Sequence, residues 1–116
     1  MTTSPVVVGV DASADARSAV LWAVAEAALA NTSLLIVHSP GLPTAATAQL
    51  GAALRACDDV GQSVLDAAVA IARASRPDVP VKVLLSHADP AQALIDVSAE
   101  AQLLVLGSRS VAPGEL

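Results

Sequence analysis

Aromatic side chains are almost missing from this sequence: among 116 residues there is neither Phe nor Tyr, and Trp22 stands alone. Binding that stacks bases or sugars on aromatic platforms loses its main tool. Basic charge is scarce too, with five Arg and the single Lys82 against 11 acidic residues, for a formal net charge of −5. That balance argues against nucleic acid and anionic membrane surfaces as partners. Lys82 lies in an apolar run, and no Gly-Lys-Ser or Gly-Lys-Thr follows a glycine loop, which excludes a phosphate site built on a loop lysine. The lone Cys57 has no partner for an internal disulfide, and Asp58-Asp59 beside it disfavours a thiolate. No charged-then-apolar leader opens the chain and no apolar run approaches a membrane span, so the expected location is the cytoplasm.

What is abundant is alanine, with 26 copies, in a chain that is 54% apolar and only 15% charged. This is ample material for a buried core, and the length predicts one domain over residues 1–116. The Val-rich run from Pro5 to Val10 reads as a strand buried on both faces, with Asp11 at its carboxyl end. Ser13 is a plausible N-cap for a helix over Ala14 to Ala30, whose expected core stripe is Val20, Leu21, Val24 and Ala28. Asn31-Thr32 ends that helix, and Ser33 to Ser39 gives a second strand closed by a Pro-Gly-Leu-Pro loop.

From Thr44 to Ser75 the pattern is helical again, although Gly51 and Gly61 each cost roughly 1 kcal/mol relative to Ala, which predicts a break or fraying near Gly51. The firm part is Arg55 to Ala74, with Val60, Val64, Leu65, Ala68 and Ile71 facing inward. Val81 to Leu85 is the third strand. Asp89-Pro90 then sets a capping carboxylate before a proline, opening a helix over Ala91 to Ala101. Leu103 to Leu106 is the fourth strand, and Val111 to Leu116 reads as a tail.

Alternating strands and helices with right-handed crossovers give an α/β fold, an open parallel sheet with helices on both faces. If the sheet grows from strand one through two to three and restarts on the other side of strand one, its order is 3-2-1-4. Ligands of such sheets bind outside the carboxyl ends at the switch point, here between strands one and four. Two polar segments meet there: Val10-Asp11-Ala12-Ser13 and Gly107-Ser108-Arg109-Ser110. A glycine followed by small hydroxyl residues can turn successive backbone NH groups toward an anion without any lysine. Asp11 can hydrogen-bond a ribose or hold a divalent ion. The alternative is that Asp11 caps a helix and Gly107 merely permits a turn.

In order and spacing, VVVGVDASADARSAVLWAVAEA, LLIVHS, VLLSHADPAQALIDVSAEA and LLVLGSRS resemble the universal stress protein family, from Pro5 to Ser110. The resemblance implies a Rossmann-like parallel sheet of order 3-2-1-4-5, here with the fifth strand missing and the domain shortened at its carboxyl end. It also implies a homodimer or higher oligomer, and ATP, with or without Mg, as ligand. Carried over, the nucleotide contacts are Asp11, Ser39, and Gly107 with Ser110. The family loop runs Gly, two residues, Gly, nine residues, then Gly-Ser or Gly-Thr. Here Ser110 stands at the second glycine, the distal pair does not occur, and Ser39 replaces an apolar residue that packs on adenine. Those departures predict weakened or lost ATP binding.

His38 and His87 both follow strands, and without further ligands nearby they read as strand-end structural residues rather than a metal site. Trp22 reads as a core or groove filler. No GxSxG elbow and no GxGxxG after strand one are present, so a catalyst with its own nucleophile and a dinucleotide enzyme are both disfavoured. The expected function is a nucleotide-binding regulatory module of the stress response, not an enzyme. The alternative is an interaction scaffold that dimerises along a sheet edge and binds no nucleotide, and slow ATP hydrolysis ranks below both.

Overall fold

A computed structural model of the chain describes residues 4–11, 15–39, 50–87 and 89–107, the side chains of 50–57 and 90 apart. Four strands, β1 (Val6–Gly9), β2 (Leu34–His38), β3 (Val81–Leu85) and β4 (Leu103–Leu106), alternate with helices α1 (Asp15–Leu29), α2 (Leu50–Ser75) and α3 (Pro90–Ser98). All strand pairs are parallel and the order is β3-β2-β1-β4, as the alternation of elements requires. The register sets Val8 between Ile36 and Val105, so the three Val- and Leu-rich runs lie side by side with β1 between β2 and β4.

Side chains alternate across this sheet. Val6, Val8, Val10, Leu34 and Ile36 face α1 and α2, where they meet Val20, Val24, Leu65, Ala68 and Ala72 in one buried cluster. The opposite face carries α3, whose Leu94 comes against Gly9. Alanine makes the first layer thin: Ala19, Ala23 and Ala27 of α1 are buried and let the helix backbone approach the strands. Two members of the expected stripe are displaced by them, since Leu21 and Ala28 are only partly buried.

Helix α2 is described from Leu50 and runs unbroken through Gly61, while residues 40–49, where a break or fraying near Gly51 would show, lie outside the described residues. The packing of Leu65, Ala68 and Ala72 against the sheet outweighs the local penalty of the glycines. That buried stripe, continued one turn back, falls on Gly61 and not on Val60. Val60 is accordingly 60% exposed, a correction to its expected inward position. Of the two places expected for Trp22, core or groove, it takes the groove: it is 52% exposed and lines a groove with Val105 and Leu106 of β4.

The helix ends follow the sequence closely. Asn31 adopts φ 54 after α1, with Thr32 N donating to Ala27 O at 3.0 Å and Asn31 N to Ala28 O at 3.2 Å, the paired bonds of a left-handed C-terminal cap. Asp89 caps α3, its Oδ2 accepting from Ala91 N at 3.1 Å and Gln92 N at 3.4 Å, and Pro90 takes the first helical position. The helix closes at Ser98, three residues before the expected end. Asp89→Ala is expected to cost about 1 kcal/mol, the usual loss for a removed N-cap, and hydrogen exchange should quicken selectively across residues 91–98.

Candidate functional site

The carboxyl ends of β1, β2 and β4 open onto a cleft of about 380 Å³. Asp11, Ser39 and Gly107, each one residue or two beyond its strand, line it together with Gly9, Val10, Ala16, Val37, Ala93, Leu94 and Leu106. Three residues singled out from separate parts of the sequence therefore stand around one space, at the switch point between β1 and β4. Ala12, Ser13, Ser108, Arg109 and Ser110, the rest of the expected set, lie outside the described residues.

The walls are apolar, and Asp11 is the one titratable group among the described lining residues. An anion here depends on backbone donors and on the amino ends of α1 and α3, which start beside the cleft and contribute Ala16 and Ala93 to its lining. Gly107 has a further reason to be glycine. A Cβ at this position would stand 3.2 Å from Asp15 O, 3.4 Å from Asp15 C and 3.6 Å from Ala16 N. All three are backbone atoms of the first turn of α1, so the end of β4 approaches that turn as closely as it does only because no side chain intervenes.

The histidines have taken separate places. His38, buried, sets its Nδ1 at 2.8 Å from Val10 O, next to the cleft wall. His87 Nε2 lies 2.7 Å from Asp58 Oδ1, with side chains 60% and 42% exposed, a tie between α2 and the segment after β3 that solvent screening keeps weak. Among the described residues no group of three or more His, Cys, Asp or Glu is placed to hold a metal ion, and no helix is long and apolar enough to cross a membrane. Cys57 is part of α2, with its side chain outside the described residues.

Gly9, Ala16, Val37, Ala93, Leu94 and Leu106 were not foreseen as cleft residues. Gly9, Val37 and Leu106 were within reach, because they share a sheet face by simple alternation. Ala93 and Leu94 depend on how α3 docks, which no local pattern encodes.

An open parallel sheet of order β3-β2-β1-β4 with a cleft at its switch point defines a Rossmann-like α/β protein. The chain belongs to the universal stress protein family, whose family model matches residues 2–115. It is 36% identical over 106 residues to universal stress proteins of two Mycobacterium tuberculosis strains; the match takes in 91% of this chain but only 38% of theirs, so the chain spans well under half the length of these relatives. Among solved structures, a universal stress protein family member from Burkholderia pseudomallei is similar with a TM-score of 0.73 and 28% identity, covering 90% of this chain and 81% of that one. A universal stress protein from Archaeoglobus fulgidus in complex with dAMP is similar with a TM-score of 0.66 and 25% identity, covering 91% and 82%.

Proposed function

We propose that the chain is a regulatory binding module that takes an adenine nucleotide in the cleft between Asp11, Ser39 and Gly107, with weakened affinity and without turning it over. The observation that carries this reading is the convergence of those three residues on one cleft at the switch point. The dAMP complex of the Archaeoglobus relative supports the choice of ligand. Asp11 accepts a ribose hydroxyl, Gly107 gives the phosphates access to backbone NH groups, and the apolar wall of Val10, Val37 and Leu94 receives the base. Affinity is weakened because no basic side chain occurs among the described cleft residues and Ser110 replaces the family's second loop glycine. The nucleotide is bound and not turned over, Asp11 being the one carboxylate among the described cleft residues, and Mg enters only as part of the ATP complex.

Calorimetry with ATP and dAMP, with and without Mg, tests the proposal. Saturable heat is expected from the wild type, and Asp11→Ala should weaken binding about 10- to 100-fold, the value of one charge-assisted hydrogen bond. A wild type that gives no heat with either nucleotide overturns it, and ADP released linearly by the wild type but not by Asp11→Ala overturns the non-catalytic part.

A second reading, self-association, rests on another observation. Among the described residues nothing pairs with the outer edge of β4, and Leu106 and Trp22 beside it are 53% and 52% exposed. A dimer joined along this edge is expected in light scattering at micromolar concentration, with Trp22 emission shifting on dilution.

A further inference from the structure

We propose that His38 is a positioning residue of the cleft, its imidazole fixing the strand ends that carry Asp11 and Ser39. The ligand in this inference rests on the nucleotide reading above; the mechanism rests on geometry. The regular ladder between β1 and β2 ends at the pair Gly9 and Val37, with one further bond from Val10 N to Val37 O at 2.9 Å. Beyond it the two chains must part, because Asp11 and Ser39 stand on the walls of an open cleft. At the point of parting His38, 7% exposed, sets Nδ1 2.8 Å from the carbonyl oxygen of Val10. A carbonyl can only accept, so Nδ1 carries the hydrogen and donates it.

The same residue is held from the other strand, since Ser86 N donates to His38 O at 2.9 Å. His38 thus ties the carboxyl ends of β1, β2 and β3 together, through its ring on one side and its backbone on the other. Helix α2 closes over the ring at Gly61. A Cβ there would lie 3.2 Å from His38 Cδ2 and 2.8 Å from Leu85 Cδ1, so a side chain at 61 would have to push the ring or Leu85 aside. The helix carries its least favoured residue but proline at the one buried position where the imidazole needs the room. The buried ring, bonded to Val10 O, holds the strand ends that carry Asp11 and Ser39 before any ligand arrives.

The experiment compares wild type, His38→Leu and His38→Asn, whose amide nitrogen stands near the place of Nδ1 and can still donate. In the free wild type, 15N NMR should show the hydrogen on Nδ1. His38→Leu should shift the amide resonances of Asp11 and Ser39 and weaken ATP and dAMP at least tenfold in calorimetry. His38→Asn should restore the resonances and return affinity to within about threefold of wild type. An Nδ1 without hydrogen overturns the proposal even if His38→Leu fails to fold, and so does a folded His38→Leu with unmoved resonances, or a His38→Asn no better than leucine. A wild type without nucleotide affinity would remove the nucleotide reading alone, because the resonances are compared in the free protein and still decide what His38 does.

Discussion

Alanine in place of Ile36 is expected to lower the free energy of unfolding by about 3–4 kcal/mol, toward the upper part of the range for such truncations. Ile36 has no exposed surface and sits mid-strand in β2, with Val8 on one side and Val83 on the other. Truncating it removes the transfer free energy of three carbons and leaves a void, whose cost depends on whether neighbours can swing in. Here they cannot. The helix residues in the same cluster are largely Ala19, Ala23, Ala27, Ala68 and Ala72, which have no rotatable side chain to move, and the strand neighbours are β-branched and stiff. The void persists unless whole helices shift. Urea titration should show a lower midpoint with an unchanged slope, while Ile95→Ala, at a residue 61% exposed, should stay within about 0.5 kcal/mol. A loss at Ile36 of only about 1 kcal/mol would mean that the helices do collapse onto the sheet.

Valine at Gly107 should damage the cleft more than the fold. The atoms its Cβ would meet belong to the backbone of Asp15 and Ala16, and no rotamer change relieves them. The branched side chain therefore separates the end of β4 from the first turn of α1, at about 1–3 kcal/mol for an overpacked contact. Asp11 lies just before that turn and Leu106 just before Gly107, so both walls of the cleft move. Nucleotide affinity is expected to fall at least tenfold in calorimetry, whereas Gly107→Ala, needing a shift of only a few tenths of an ångström, should keep most of it. Wild-type affinity in the valine variant would show that the phosphates do not use this corner.

Much of this architecture was legible in the residues. Runs such as Val6-Val7-Val8 and Leu34-Leu35-Ile36-Val37 admit few readings other than buried parallel strands once helices alternate with them, and the order β3-β2-β1-β4 is the one expected if the sheet restarts beside β1 after β3. Asp11 and Gly107 were legible as a pair because strand ends are easy to place and the switch point collects them, whereas Ser39 came only with the family resemblance. The helix faces were not. Alanine is apolar enough for the core and small enough for the surface, so helical spacing in α1 points to Leu21 and Ala28 as readily as to Ala19, Ala23 and Ala27, which pack closer. The misplacement of Val60 has the same root, since the seat it was given belongs to Gly61, a residue that hydrophobic periodicity cannot see.

The central strand also has a consequence in time. β1 takes one partner, β2, from nearby sequence, but its other partner β4 comes from the far end of the chain, where Gln102 reaches back to Ser4 across 98 positions. On the ribosome β1, β2 and β3 can assemble with α1 and α2 while β4 is still unmade. Closing so long a loop is slow, so β4 is expected to dock last, and the cleft it borders exists only from that moment. A ligand of the cleft then binds chains in which β4 has docked and leaves the others untouched, drawing that docking equilibrium forward.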